Sequence, residues 1–153
     1  MFLLPFLIGI VAGLRALTAP AVVAWGAHLG WLHLPDTPLS FMGSTAAVAV
    51  FTLLAAGELV VDQLPSTPSR TKPAGLSARF VLGGLSGACI AVSASQSIAF
   101  GTVLGACGGV VGAFAGYEAR TRLVRALNVP DIVMASVEDA VAIAADVFIV
   151  WLS

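Results

Sequence analysis

Hydrophobic residues along the chain form long continuous runs, separated by short stretches that hold proline, serine and charged residues. Five of these runs approach the 20 or so apolar residues that an α-helix needs to cross a bilayer. The pattern therefore predicts an all-α bundle of five transmembrane helices, forming a single domain over residues 1–153. The predicted spans are 2–27, 41–63, 78–96, 98–118 and 131–152.

Composition agrees with this prediction and excludes several other classes of protein. Of the 153 residues, 59% are hydrophobic and 10% are charged, whereas a soluble domain is about 45–50% apolar and about 25% charged. Seven basic and eight acidic residues leave a net charge of -1, so no basic excess is present to neutralise phosphates. The expected partner is therefore the lipid bilayer, and no nucleic acid is expected.

Basic residues are concentrated in two of the four predicted connections, the second and the fourth. With five spans these two connections lie on the same side, and their Lys and Arg content predicts that this side is cytoplasmic. The N-terminus is then cytoplasmic and Ser153 external. The same connections hold candidate donors to anionic lipid headgroups: Arg70, Lys72, Arg120, Arg122 and Arg125.

Ionisable residues inside predicted spans are the candidates for function, since each costs about 2.5–3.5 kcal/mol on insertion and usually faces the bundle interior. One arginine and four acids lie at such positions, and we expect them to line an internal polar site: Arg15, Glu58, Glu138, Asp139 and Asp146. A secondary role is expected for Asp62, Glu118 and Thr18. A single guanidinium neutralises one or two carboxylates, so the remaining acids must be protonated, hydrated or bound to cations.

This surplus of acids predicts a small secondary transporter or channel-like permease, linked to protons or cations, that moves a small solute or ion. The alternative is a non-transporting scaffold or anionic-lipid-binding protein, in which the internal charges only fix helix register. We expect that the protein is not an enzyme, and an intramembrane enzyme with paired carboxylates is a further alternative. No nucleotide-binding loop or hydrolase motif occurs, and we expect no cofactor and no metal site.

The first predicted span contains Pro20 close to Arg15. A proline inside a helix frees carbonyl groups about one turn back, so we predict that the span kinks or breaks near Ala16. Broken helices near the middle of the membrane form substrate sites in transporters. A simple proline kink is the alternative.

Small residues indicate how the predicted helices pack. Glycines recur at helical spacing in spans one, three and four, which favours close approach of backbones in lipid, and we expect span four to be central and the protein to be a homodimer. An acid follows small residues in both span two and span five, at Glu58 and Asp146. This similarity predicts an inverted repeat of spans one and two by spans four and five, joined by span three.

Two short motifs carry a resemblance to a known family. Gly13-Leu14-Arg15 lies in the first span, and Glu58, Asp62 and Pro65 close the second with the spacing Glu-x-x-x-Asp-x-x-Pro. With these motifs the chain resembles an uncharacterised family of small bacterial integral membrane proteins, one of the groups with a domain of unknown function. The resemblance covers nearly the whole chain and implies a multi-pass protein of the bacterial inner membrane, without implying a mechanism.

Overall fold

The computed structural model describes residues 3–34, 36–61, 72–128 and 130–153. In these ranges the regular structure is entirely helical, with six α-helices and one short 3-10 helix at Ser40–Gly43. The all-α prediction is confirmed. In chain order the helices are α1 (Leu4–Leu14), α2 (Thr18–His28), α3 (Thr45–Val61), α4 (Pro73–Ser93), α5 (Ile98–Leu127) and α6 (Asp131–Trp151).

The first predicted span is two helices rather than one. Helix α1 ends at Leu14 and α2 begins at Thr18, and Arg15 between them has an extended backbone with φ -135° and ψ 112°. Pro20 is the third residue of α2, where the backbone N–H that proline lacks would have had no partner within the helix. The proline therefore fits the first turn of a new helix, and the predicted interruption near Ala16 is present as a break.

Glycines bring the backbones of α1, α4 and α5 into direct contact, with α5 packed against both of the others. A Cβ atom built on Gly13 of α1 would lie only 2.5 Å from the amide nitrogen of Ala113 in α5. One built on Gly105 of α5 would collide with the carbonyl oxygen of Gly83 in α4. Because real Cβ atoms do not approach backbone this closely, the glycines are required here, and the close approach of backbones predicted from their spacing is present.

Two helices among the described residues are long and apolar enough to cross a membrane, α4 with 21 residues and α5 with 30. Helices α1 and α3 are apolar but shorter, with 11 and 17 residues, and α6 carries four acidic residues along its length. Helix α5 also continues well beyond the predicted end at residue 118. It ends at Leu127, ahead of Asn128, whose φ of 50° is left-handed.

The two halves of the predicted inverted repeat differ in one visible respect. The first span is interrupted at residues 15–17, whereas its counterpart α5 is a continuous helix of 30 residues. The break in the first half therefore has no counterpart in α5.

Candidate functional site

Arg15 occupies the break between α1 and α2 and is completely buried. Its guanidinium forms an ion pair with Asp139 of α6. A buried charge is tolerated when it is paired, and this pair ties the interrupted segment to the last helix of the chain. Two of the five predicted site residues are thus brought together.

The backbone of the break is stabilised from α3 by Glu58. One carboxylate oxygen accepts the N–H of Ala16 and the other accepts the N–H of Leu17, each at 2.8 Å. In a continuous helix these amides would donate to the carbonyls of Ala12 and Gly13, four residues back. Glu58 replaces both acceptors and places a negative charge at the N-terminus of α2, where the helix dipole favours it.

The carbonyl on the other side of the break is bound by Arg79 of α4. Its Nε–H donates to the oxygen of Gly13 at 3.0 Å, and its Nη1 donates to the oxygen of Gly75 at 3.0 Å. The helical bond that would join Leu17 N–H to Gly13 C=O is therefore replaced at both ends. A carboxylate from α3 binds the donor, and a guanidinium from α4 binds the acceptor.

Arg79 is a site residue that the sequence analysis missed, because it counted as part of a basic connection. The structure places it inside α4, where it is buried. Pro73 begins this helix, and proline is favoured in the first helical turn. A helix that begins at Pro73 contains Arg79 and places it on the same face as Gly83, four residues later. Pro73 is therefore the sequence signal that could have identified Arg79 as a helical residue.

Asp146 is completely buried on α6. Neither of its carboxylate oxygens has a hydrogen-bond donor among the described residues. The neighbouring polar side chain is Thr18, whose hydroxyl donates to the carbonyl oxygen of Arg15 at 3.2 Å. Asp146 thus reaches the first turn of α2 but forms no ion pair with Arg15 in the described part of the chain.

Glu138 precedes Asp139 in the sequence and contacts a different arginine. Its Oε2 accepts from Nη1 of Arg120 at 3.4 Å, and the Nε–H of Arg120 donates to Oδ1 of Asp131 at 2.9 Å. Arg120, Asp131 and Glu138 therefore link the C-terminal part of α5 to the beginning of α6.

The predicted lipid-binding residues are partly neutralised. Arg122 donates to Glu118 at 2.7 Å across one turn of α5, and both side chains are exposed. Lys72 and Arg125 are exposed as well. Arg70, and with it Asp62, lies outside the described residues. Among the residues that the structure does describe, no group of three or more His, Cys, Asp or Glu side chains is arranged to hold a metal ion.

These residues together form one arrangement around the break, which we call the break cluster: Arg15, Thr18, Glu58, Arg79, Asp139 and Asp146. It combines two helix ends, two guanidinium groups and three carboxyl groups contributed from four helices and the break. A comparison of the chain with curated proteins and with solved structures gives no match. A family model described as "Domain of unknown function (DUF4126)" matches residues 3–152, and the chain belongs to this family.

Proposed function

We propose that this protein is a small multi-pass membrane permease in which the break cluster forms the path for a small solute or ion. The observation that carries the proposal is a helix interrupted beside buried ionisable groups. Such discontinuous helices expose backbone donors and acceptors inside a membrane and are used by secondary transporters to bind solutes and coupling ions. The buried acids support linkage to protons or cations.

The outer surface of the bundle supports insertion in a membrane. Large apolar side chains point outward on several helices, among them Leu53 on α3, Val103 on α5 and Val141 on α6, which are 73%, 60% and 55% exposed. A soluble monomer rarely exposes extended apolar surface, whereas lipid chains cover it without cost. In the proposed arrangement α1 and α2 together form the first of five crossings.

Helix lengths are consistent with such an arrangement. Helix α4, with 21 residues, is about 31 Å long, close to the hydrocarbon thickness of about 30 Å. Helix α5, with 30 residues, is about 45 Å long, so its basic last turns extend beyond the hydrocarbon. We propose that this end of α5 is cytoplasmic in a bacterial inner membrane, because Arg120, Arg122 and Arg125 lie there.

Transport is tested by reconstitution. Purified protein in liposomes, with a pH-sensitive dye inside and a panel of small anions and cations outside, should move protons or ions at a rate above that of empty liposomes. Asp146→Asn should abolish this movement, because it removes the ionisable group and conserves size. Glu118→Gln is the matched control: it also neutralises an acid, but Glu118 is 57% exposed and bound to Arg122.

The alternative of a scaffold or lipid-binding protein gives the opposite result. If neither wild-type protein nor the Glu118→Gln variant moves any solute of the panel, while both remain folded, the permease proposal is refuted. Association with liposomes rich in anionic lipid, lost when Lys72 and Arg125 are replaced by Gln, would then favour the lipid-binding alternative.

A further inference from the structure

Asp146 differs from every other ionisable group of the break cluster in what surrounds it. Arg15 pairs with Asp139, Glu58 binds two backbone amides, and Arg79 binds two backbone carbonyls. Asp146 is as deeply buried as Arg15, yet no donor in the described chain contacts either of its oxygens. Burial of an ionised carboxylate in this way is strongly unfavourable.

The hydroxyl next to Asp146 has one proton for two possible acceptors, Asp146 and the carbonyl oxygen of Arg15. A threonine hydroxyl has one proton and two lone pairs, and Thr18 donates its proton to the carbonyl oxygen of Arg15. That carbonyl belongs to the break, where Arg15 is extended and not helical. While Thr18 makes this bond, it offers Asp146 only lone pairs. Two oxygen atoms that both present lone pairs repel each other unless a proton, or a cation, lies between them.

We propose that Asp146 is a proton-binding site, neutral in this conformation, whose carboxylic acid donates to the hydroxyl oxygen of Thr18. The hydrogen bonds then form one chain, from Asp146 to Thr18 and on to the carbonyl of Arg15, in which each hydroxyl proton has an acceptor. Loss of the proton to water leaves a buried carboxylate facing the lone pairs of Thr18. The first turn of α2 and the middle of α6 must then separate or admit another donor.

A proton suits this position better than a metal cation. Hard cations take about six or more oxygen ligands, whereas the oxygens placed here are those of Asp146, Thr18 and the Arg15 carbonyl. The turns of α6 on either side are apolar and buried, with Ala142, Ile149 and Val150. A single proton satisfies the pair of oxygens without further ligands.

The other charged groups around α6 and the break are already engaged. From the break, Arg15 binds Asp139, which lies two turns from Asp146 on the same helix. From α3, Glu58 binds the amides of Ala16 and Leu17. From α5, Arg120 binds Asp131 and Glu138 near the start of α6. Protonation of Asp146 therefore leaves all of these pairs intact.

Infrared spectroscopy of the protein in lipid tests the proposal directly, because a neutral carboxylic acid has a carbonyl stretch that a carboxylate lacks. At pH 7 the wild-type protein should show this band, and Asp146→Asn should lose it. Glu118→Gln is the matched control and should keep it, because it removes an exposed carboxylate that binds Arg122. Thr18→Val should shift the band to higher wavenumber through loss of the hydrogen-bond acceptor, while Thr18→Ser should not shift it.

Three results would overturn the proposal: no carboxylic acid band at pH 7, a band that survives Asp146→Asn, or a band that disappears when sodium chloride replaces choline chloride. The last result would identify a cation site. Thermal unfolding of Asp146→Asn checks that the variant folds, and the Asn amide, which also donates, should keep it as stable as the wild type.

The role of this proton in coupling rests on the permease proposal, but its presence does not. If liposomes show no transport and the band behaves as expected, the permease proposal fails and the proton site stands. If Asp146→Asn abolishes transport and the wild-type protein has no band, the permease proposal stands and the proton site fails.

Discussion

Replacement of Glu58 tests whether the break in the first span depends on its carboxylate. The side chain accepts the N–H groups of Ala16 and Leu17, each at 2.8 Å. A hydrogen bond to a charged group contributes about 1.5–3 kcal/mol, and a negative charge at a helix N-terminus adds about 0.3–1 kcal/mol. Glu58→Ala removes both bonds, so we expect it to lower the free energy of unfolding by about 3–6 kcal/mol.

Glu58→Gln separates the two bonds. The amide has one carbonyl oxygen to accept one N–H, while its NH2 group faces the other N–H as a second donor. We expect a loss of about 2–3 kcal/mol, near half of that for Glu58→Ala. The order of stability should therefore be wild type, then Gln, then Ala at residue 58.

Tryptophan fluorescence during chemical unfolding in mild detergent measures these differences. Glu118→Gln is the control, since it neutralises an exposed acid that binds Arg122 one turn away, and such surface pairs contribute about 0.3–0.5 kcal/mol. The reasoning is refuted if Glu58→Ala and Glu118→Gln destabilise the protein by the same small amount. The break would then be maintained without the carboxylate.

The remaining predictions concern packing and the buried ion pair, and the same unfolding assay checks both. Gly105→Ala should destabilise the bundle by about 1–3 kcal/mol, because its Cβ would collide with the carbonyl of Gly83. Gly57→Ala should stabilise the protein by about 0.5–1 kcal/mol, because its Cβ meets nothing within 4 Å. Equal effects would contradict the backbone contact. Arg15→Met should cost about 3–5 kcal/mol, because it removes the buried guanidinium that pairs with the Asp139 carboxylate. Adding Asp139→Leu should recover part of this loss, and no recovery would show that the pair is not the main role of Arg15.

The break was predictable because its cause is local. Proline lacks the backbone N–H that a continuous helix would need, and Pro20 lies five residues after Arg15. The end of α5 was not predictable in the same way. Charged residues after 118 suggested the end of an apolar span, but Arg, Glu and Ala all favour helix, so the helix continues to Leu127.

The roles of the acids depend on geometry that a linear pattern does not contain. Adjacent residues on a helix point about 100° apart, so Asp139 meets Arg15 while Glu138 meets Arg120. Glu58 was expected to line a path, and its observed partners are backbone amides in the break between α1 and α2. The periodicity of side chains does not predict such backbone partners, because backbone amides become available to them only where a helix is interrupted.

The close backbone contacts described above divide the bundle into parts of different stiffness. Where α1, α4 and α5 meet, carbonyl groups lie where a Cβ would be, so these helices are expected to slide or rotate very little against each other. Helix α2 contacts α6 through side chains instead, with Gly26 against the side chain of Val150, and side chains are able to repack. Motion of α2 would then pivot on residues 15–17. Glu58 and Arg79 bind the two sides of this pivot, and their hydrogen bonds would determine how easily it bends.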